Sequence, residues 1–161
     1  MIRTATANDA FQIAGIYNYY IANTTVTFEE EQVSTEEMQE RINEVLKKYP
    51  WLVFEQEGKI LGYAYASAWK SRCAYKYSVE TTVYLQNGLS GKGHGSKLYA
   101  ELLSQLQKMG LHGVIGGVAL PNEACIALHQ KNNFEQVAHF KEVGYKFNKW
   151  IDVVYWEKIL N

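Results

Sequence analysis

A glycine-rich segment between an apolar strand and a long helix constrains this chain more than any other feature. Residues 83–106 read VYLQNGLSGKGHGSKLYAELLSQL, where a strand end precedes alternating glycines and then leucines at helical spacing. Glycine lets backbone amides approach an anion closely, and a helix N-terminus offers unpaired N–H donors with a partial positive charge. The segment predicts a phosphate-binding loop; a flexible surface turn before an ordinary helix is the alternative.

Two nucleotide-binding patterns can be tested against this loop, and neither fits. The P-loop pattern requires Ser or Thr after Gly-Lys, but Gly93 follows Gly91 and Lys92. The dinucleotide fingerprint requires a glycine five residues after the first one, and that position holds Ser96. The loop is therefore predicted to hold the phosphates of another kind of ligand.

Composition and charge restrict the class of protein. The chain has 161 residues with 47% apolar and 14% aromatic side chains, as in one globular domain over residues 1–161. Its net charge of −1 argues against a nucleic-acid or membrane-surface partner, and no apolar run is long enough for a membrane span. The N-terminus lacks a signal peptide core, and the isolated Cys73 and Cys125 are expected to be free thiols in the reducing cytoplasm. The histidines have no metal-ligand spacing with Asp or Cys, so no metal is predicted.

Hydrophobic periodicity and turn signals predict the element order β-α-α-β-β-β-α-β-α-β-β. An antiparallel hairpin passes into crossover connections, so we expect an α/β fold with a mixed sheet and helices on both faces. The first helix is expected to place Phe11 on its apolar face, together with Ile13 and Ile16. Strands are expected at residues 2–5, 51–55, 60–66, 77–85, 114–120, 134–140 and 153–159, with loops at 67–76 and 141–152.

That order, with a glycine loop between the fourth strand and the third helix, resembles the GCN5-related N-acetyltransferase (GNAT) superfamily. Nearly end to end, the chain is similar to the phosphinothricin and methionine sulfone acetyltransferases. The similarity is carried by NTTVTFEEE, WKSRCAY, VETTVYL, LPNEACIALH and GYKFNKWIDVVYW. The resemblance implies an acetyl-CoA-dependent enzyme, active as a homodimer, that acetylates the α-amine of a small amino-acid-like compound. One departure is Ser90, because the family's loop begins with Gln or Arg at that position.

The resemblance also implies which residues hold the donor. The strand end at residues 83–85 would pair its backbone with the pantetheine arm, and residues 91–96 would hold the pyrophosphate. Asn122 would contact the donor near its thiol end, with Lys131 further along the same helix. The complete implied set is Val83, Tyr84, Leu85, Gly91, Lys92, Gly93, His94, Gly95, Ser96, Asn122 and Lys131.

Transfer of an acetyl group from a thioester to an amine needs a base, an oxyanion donor and a way for the thiolate to leave. Glu80 is the candidate base because it lies on the strand leading into the loop and matches the carboxylate assigned as base in the similar enzymes. A solvent-facing strand residue is the alternative. The backbone N–H of Tyr84 or Leu85 is the candidate oxyanion donor. His129 stands where many superfamily members carry a tyrosine; it could protonate the thiolate or only form a packing hydrogen bond.

For the acceptor, the resemblance implies contacts from two loops. They are Phe28 and Glu29 in the first interhelical loop, and Arg72, Cys73, Ala74 and Tyr75 before the fourth strand. The guanidinium of Arg72 suits a carboxylate or phosphinate, although a solvated loop arginine is the alternative. Lys146 and Trp150 fall in the predicted last loop, which in this family shapes the pocket and the dimer. A protein amine or polyamine acceptor, and a non-catalytic acyl-CoA sensor, remain open as other functions.

Overall fold

The computed structural model describes residues 1–161, and its central feature is one seven-stranded mixed sheet. The strands are β1 (Ile2–Thr4), β2 (Trp51–Gln56), β3 (Lys59–Ala68), β4 (Ser78–Leu85), β5 (Gly113–Ala119), β6 (Glu135–Lys146) and β7 (Lys149–Ile159). The helices are α1 (Ala10–Asn23), α2 (Thr35–Leu46), α3 (His94–Lys108) and α4 (Glu123–Lys131). The strand order is β1-β2-β3-β4-β5-β7-β6, and β4 with β5 is the parallel pair. The predicted element order and fold class are confirmed.

Two hydrophobic cores lie on opposite faces of the sheet because side chains alternate along each strand. In β2, Trp51 and Val53 pack beneath α1 and α2, whereas Leu52 between them packs beneath α3. The leucines at helical spacing in α3, including Leu102 and Leu106, fill the second core. None of the helices is both long and apolar enough to cross a membrane.

Phe11 was expected on the apolar face of the first helix, and this prediction is wrong. Its side chain is 75% exposed, while Ile13 and Ile16 are buried in the core. The reason is angular: positions 13 and 16 are three residues apart and share a helix face, from which position 11 is turned away. Phe11 was assigned to the apolar face because its side chain is hydrophobic, although its spacing from Ile13 and Ile16 does not fit that face.

The predicted loop at residues 141–152 is also wrong, because β6 and β7 form one long hairpin through this segment. The chain reverses at Phe147 and Asn148, which have φ values of 51° and 59° and so form a two-residue turn that matches strand twist. Irregular pairing between Phe140 and Gly144 disturbs the two-residue alternation. That bulge conceals the strand from a periodicity test. Consequently Lys146 is a strand residue.

β4 and β5 separate soon after they begin. Their pairing runs only from Ser78 with Gly113 to Glu80 with Ile115. Beyond Glu80, β4 remains paired with β3 and β5 remains paired with β7. The sheet is therefore split at its centre, and the glycine loop follows β4 at the open end of that split.

Candidate active site

The edge of β4 that faces the split offers backbone groups without a strand partner. The amide of Gln86 donates to the carbonyl of Leu61 in β3 at 2.8 Å. Because successive residues of a strand direct their amides to opposite sides, Tyr84 also faces β3, whereas Val83 and Leu85 face the split. Of the two amides predicted as oxyanion donors, the alternation favours Leu85.

An outer cavity of about 390 Å³ lies between β4, the glycine loop and α4. Nine of the residues expected to hold the donor line it: Val83, Tyr84, Leu85, Gly91, Gly93, Gly95, Ser96, Asn122 and Lys131. Ser90, the departure from the family pattern, also lines it. Lys92 and His94 do not: Lys92 is exposed, and the His94 ring centroid lies 4.8 Å from that of Phe54. The structure therefore brings most, but not all, of the predicted set together.

The start of α3 has the features of an anion site. Gly91 and Gly93 have φ values of 80° and 82°, the left-handed conformation that only glycine adopts easily. The first helical hydrogen bond runs from the Lys97 amide to the Gly93 carbonyl, so the amides before Lys97 have no partner within the helix. No acidic residue lies in the first turn of α3. Free amides, helix dipole and missing negative charge all favour an anion here.

The second wall of the outer cavity is the N-terminus of α4, which Asn122 caps. Its side-chain oxygen accepts a hydrogen bond from the Cys125 amide at 3.1 Å. This bond fixes the side chain of Asn122 at the cavity wall. The prediction that Asn122 opens this helix is confirmed.

An inner cavity of about 200 Å³ continues from the outer one and brings Glu80 and His129 together. Val26, Tyr84 and Asn122 are among the residues that line both cavities, so the two form one passage. Glu80 has the same strand parity as Tyr84, which packs on the α1 side of the sheet. His129 lies on α4, on the other side. The two candidate catalytic residues therefore reach the passage from opposite faces.

Glu80 is half-buried, and burial raises the pKa of its carboxyl above the ordinary value of 4.5. The positive charge of Lys70 acts in the opposite direction but is the smaller influence. Burial raises the pKa of Tyr65 and Tyr155, and the Glu80 carboxylate adds a smaller contribution in the same direction, so both phenols lie in its electrostatic neighbourhood. Tyr77, three residues before Glu80 in the chain, is 56% exposed and does not line the inner cavity.

His129 is buried, and its hydrogen bonds determine its tautomer. Nδ1 lies 2.8 Å from the Cys125 carbonyl, which can only accept, so Nδ1 carries the hydrogen. Burial lowers the pKa of His129, which keeps the ring neutral at pH 7 and leaves a lone pair on Nε2. Nε2 lies 3.5 Å from the Tyr99 hydroxyl, which is 2.6 Å from the Thr81 hydroxyl. His129 is thus placed as a hydrogen-bond acceptor.

Two successive glycines in β5 make room for rings on the two faces of the strand. A Cβ atom at Gly116 would lie 2.2 Å from Nε2 of His129. A Cβ atom at Gly117 would lie 3.1 Å from the ring of Tyr155. A glycine inside a strand has no side chain to pack, but here its absence of a Cβ atom allows neighbouring rings to approach the backbone closely. These two glycines were the available signal for Tyr155, which sequence reasoning missed.

Cys125 lines both cavities but is not a nucleophile at neutral pH. Burial raises the pKa of its thiol to about 11, so the thiolate is scarce at pH 7. Cys73 is exposed, and both cysteines are free, as predicted. The thiol chemistry argues against an acyl-cysteine and favours direct transfer between two bound substrates.

Glu29, predicted to bind the acceptor, is engaged within the chain. Arg41 donates two hydrogen bonds to its carboxylate, at 2.9 and 2.7 Å, and the Tyr17 hydroxyl donates a third. The bonds from Arg41 are the main reason why the pKa of Glu29 is lowered. Glu29 therefore anchors the α1–α2 loop. Sequence reasoning missed Arg41, whose spacing from Glu37 suggests an ordinary surface pair.

The loop before β4 is not brought to either cavity. Arg72, Cys73, Ala74 and Tyr75 are all exposed, and Cys73–Tyr75 forms a 3-10 turn. Arg72 makes no ion pair, and no residue of this turn lines the passage. Phe28 does not line it either: its ring packs over Gly144 in the β6–β7 hairpin. The acceptor contacts therefore remain predictions. No cluster of three or more possible metal ligands is present.

The split sheet, the anion site at one end of the passage and the half-buried carboxylate at the other suit a transferase whose donor carries phosphates. The Acetyltransferase (GNAT) domain model matches residues 2–155. Phosphinothricin N-acetyltransferase of Streptomyces viridochromogenes is 37% identical, covering 98% of this chain and 86% of that protein. The L-methionine sulfoximine/L-methionine sulfone acetyltransferase of Salmonella typhimurium is 33% identical, covering 96% and 91%. The chain therefore belongs to the GNAT acetyltransferase family and is an N-acetyltransferase.

A solved structure gives the same result for the fold. The phosphinothricin acetyltransferase of Sinorhizobium meliloti, in complex with acetyl-CoA, matches with a TM-score of 0.96 at 33% identity. The match covers 100% of this chain and 88% of that one. The family and enzyme class predicted from the motifs are confirmed.

Proposed function

We propose that this N-acetyltransferase transfers the acetyl group of acetyl-CoA to the α-amine of a small amino-acid-like compound. Phosphinothricin, methionine sulfone and methionine sulfoximine are the acceptors that the names of the relatives support. The observation that carries the proposal is the continuous passage with an anion site at its outer end and Glu80 at its inner end. Donor and acceptor would meet where the two cavities join.

On the donor side, the amides at the start of α3 would hold the pyrophosphate, and the fit rests on the left-handed Gly91 and Gly93. The backbone edge at Val83 would pair with the amides of the pantetheine arm, as an added strand does. At Leu85 only the amide is available, because the Leu85 carbonyl accepts a hydrogen bond from the Tyr20 hydroxyl. The Leu85 amide would then donate to the carbonyl oxygen that gains negative charge during transfer. Acetyl-CoA supplies the activated acetyl group.

On the acceptor side, Glu80 would take the proton of the acceptor ammonium, directly or through a water molecule. The amine attacks the thioester carbon to form the C–N bond and a tetrahedral oxyanion. When this collapses, the C–S bond breaks, the electron pair leaves on sulfur, and the second proton of the nitrogen ends on the released thiolate. An alkylammonium has a pKa several units above that of an ordinary glutamate, so the raised pKa of Glu80 brings base and substrate closer.

A thiolate with a pKa near 8.5 needs little help to leave. Nε2 of His129 carries a lone pair and has no proton to give to the sulfur. The Tyr99 hydroxyl, 3.5 Å from Nε2, would turn its single hydrogen from that atom toward the thiolate.

A polyamine is a second candidate acceptor, and one observation favours it. Among the residues that line the inner cavity, Glu80 is the only one charged at neutral pH. A carboxylate without a neighbouring lining cation suits a cationic substrate better than an anionic one. Arg72, the expected partner for a substrate carboxylate, lies outside this cavity. The acceptor panel must therefore include both classes.

We also propose that the protein is a homodimer in the cytoplasm. One face of the β6–β7 hairpin carries two exposed aromatic rings, those of Tyr145 and the 65% exposed Trp150, whose centroids lie 4.7 Å apart. Such a patch suits self-association. Sedimentation of the wild type and of Trp150→Glu tests it: we expect a dimer that dissociates in the variant, and a monomeric wild type contradicts the proposal.

A thiol-release assay with acetyl-CoA tests the acceptor assignment. The panel contains phosphinothricin, methionine sulfone, methionine sulfoximine, spermidine and a peptide with a free N-terminus. We expect the highest kcat/KM with one of the amino-acid analogues. Preference for spermidine would support the second candidate, and no release with any amine would refute the assignment.

A further inference from the structure

Lys146 is a buried cation that the chemistry described above does not use. Its side chain is 2% exposed, and its ammonium donates to the Thr27 carbonyl at 2.9 Å, across 119 residues of sequence. Glu29 and Glu30 attract it electrostatically, but it forms no ion pair. Burying an ammonium without a paired anion is costly, so such a residue persists only where its contacts matter. Lys149, three positions later, is exposed.

A second contact joins the same strand to the same loop. Gly144 and Lys146 are two residues apart in β6, so they face the same side of the strand. The ring of Phe28 lies directly over Gly144, where an added Cβ atom would be 2.3 Å from the ring. Thr27 is thereby held through its carbonyl, and Phe28 through its ring.

The loop held in this way forms part of the wall of the inner cavity. Val26 and Thr27 line that cavity together with Glu80. The Thr27 hydroxyl also lies 2.8 Å from the Tyr17 hydroxyl, which fixes the other side of the residue. Movement of Thr27 would therefore change the space in front of Glu80 without touching the glycine loop.

We infer that Gly144 and Lys146 form a latch that holds Thr27 and Phe28, and that the latch thereby fixes Thr27 as a wall of the acceptor cavity. Lys146 is then a positioning residue for the acceptor amine, acting through the backbone of Thr27. The inference about the acceptor rests on the proposed function. The inference about the loop does not, because the contacts exist in the chain itself.

Lys146→Met tests the latch, with Lys149→Met on the same hairpin as the matched control. Methionine keeps the length of the stem but removes the donor, so we expect the KM for the acceptor to rise about tenfold, as for loss of a hydrogen bond from a charged group. The KM for acetyl-CoA should stay within about twofold, because neither Thr27 nor Lys146 lines the outer cavity. Amide hydrogen exchange at residues 26–29 should accelerate in Lys146→Met and remain unchanged in Lys149→Met.

Gly144→Ala supplies an independent route to the same outcome if Lys146→Met folds poorly. Its Cβ atom would displace Phe28, so it should raise the acceptor KM and loop exchange in the same direction. In the double variant the two effects should be clearly less than additive, because both act on one loop. Equal changes in both KM values, or loop exchange that stays at the wild-type rate, would overturn the latch. If no amine is acetylated by the wild type, the proposed function fails, while the exchange experiment still decides the latch.

Discussion

The donor and acceptor ends of the passage are built in different ways. The donor end consists mainly of two continuous segments, from Val83 to Ser96 and from Asn122 to Lys131, and the shape of the first is set by backbone conformation at Gly91 and Gly93. The acceptor end is assembled from distant elements and held by side chains, through Arg41 with Glu29 and through other contacts across the sheet. Substitutions in these two short segments should therefore alter donor binding, whereas acceptor binding should respond to residues scattered along the chain.

Glu80→Gln should have the largest effect and separates the two ends most sharply. Loss of the base should lower kcat about 10² to 10⁴-fold, while the KM for acetyl-CoA changes little. Burial raises the pKa of Glu80, and only the ionised form is a base, so wild-type kcat/KM should fall as pH drops through a value above 4.5. This fall of kcat/KM at low pH should be absent in Glu80→Gln. Glu135→Gln, on an exposed strand position, is the control; full activity in Glu80→Gln would show that this carboxylate is not the base.

Gly116→Ala and Gly117→Ala form a pair that tests the packing between the two ends. The new Cβ at position 116 meets the His129 ring at 2.2 Å, so the buried ring must move, at a cost of about 1–3 kcal/mol in the free energy of unfolding. At position 117 the contact with Tyr155 is 3.1 Å and a smaller loss is expected. Urea unfolding measures both. If Gly117→Ala loses more unfolding free energy than Gly116→Ala, the packing around His129 accommodates a Cβ atom more easily than the structure indicates.

Gly93→Ala and Gly58→Ala test whether backbone conformation sets donor binding. Both glycines have positive φ, 82° and 77°, so alanine should cost about 1 kcal/mol of stability at each. Only Gly93 lines the outer cavity, so only Gly93→Ala should raise the KM for acetyl-CoA, by a few-fold. The acceptor KM should not change in either variant. If both variants have the same KM for acetyl-CoA, the glycine loop is not part of the donor site.

Arg41→Met should have the smallest effect, on stability and its pH dependence. Arg41 lowers the pKa of Glu29, so this pair stabilises the fold above the ordinary pKa of 4.5, and the contribution is lost as pH falls through the lower folded-state pKa. Both side chains are partly exposed, so we expect about 0.5 kcal/mol. Unfolding measured between pH 3 and pH 7 should show a weaker decline toward acid in the variant. An unchanged slope would show that the pair does not contribute.

The same contrast explains which features could be predicted from the sequence. The glycine loop and the cap at Asn122 are local, so neighbouring residues alone predict them, and both are found as expected. The role of Arg41 depends on Glu29, twelve residues away on another element, and no local pattern reveals it. The contact between Lys146 and Thr27 spans most of the chain.

Irregular pairing accounts for one wrong prediction. The bulge between Phe140 and Gly144 interrupts the alternation that identifies a strand, so residues 141–152 at the end of the hairpin were predicted as a loop. The exposed turn at Cys73–Tyr75 is a different case. Motif similarity predicts that these residues contact the acceptor, and this stays a prediction because the turn lines neither cavity.

The short pairing between β4 and β5 has a mechanical consequence. Only three residue pairs, from Ser78 with Gly113 to Glu80 with Ile115, join the two halves of the sheet edge to edge. Beyond these three pairs, the halves are connected by the helices packed across them and by the contacts of the α1–α2 loop with Gly144 and Lys146. A ligand hydrogen-bonded to Val83 and Leu85 would continue this edge pairing. It would therefore stiffen the sheet in addition to being a substrate. The protein would then be stiffest at the moment when both halves of its catalytic machinery must keep their spacing.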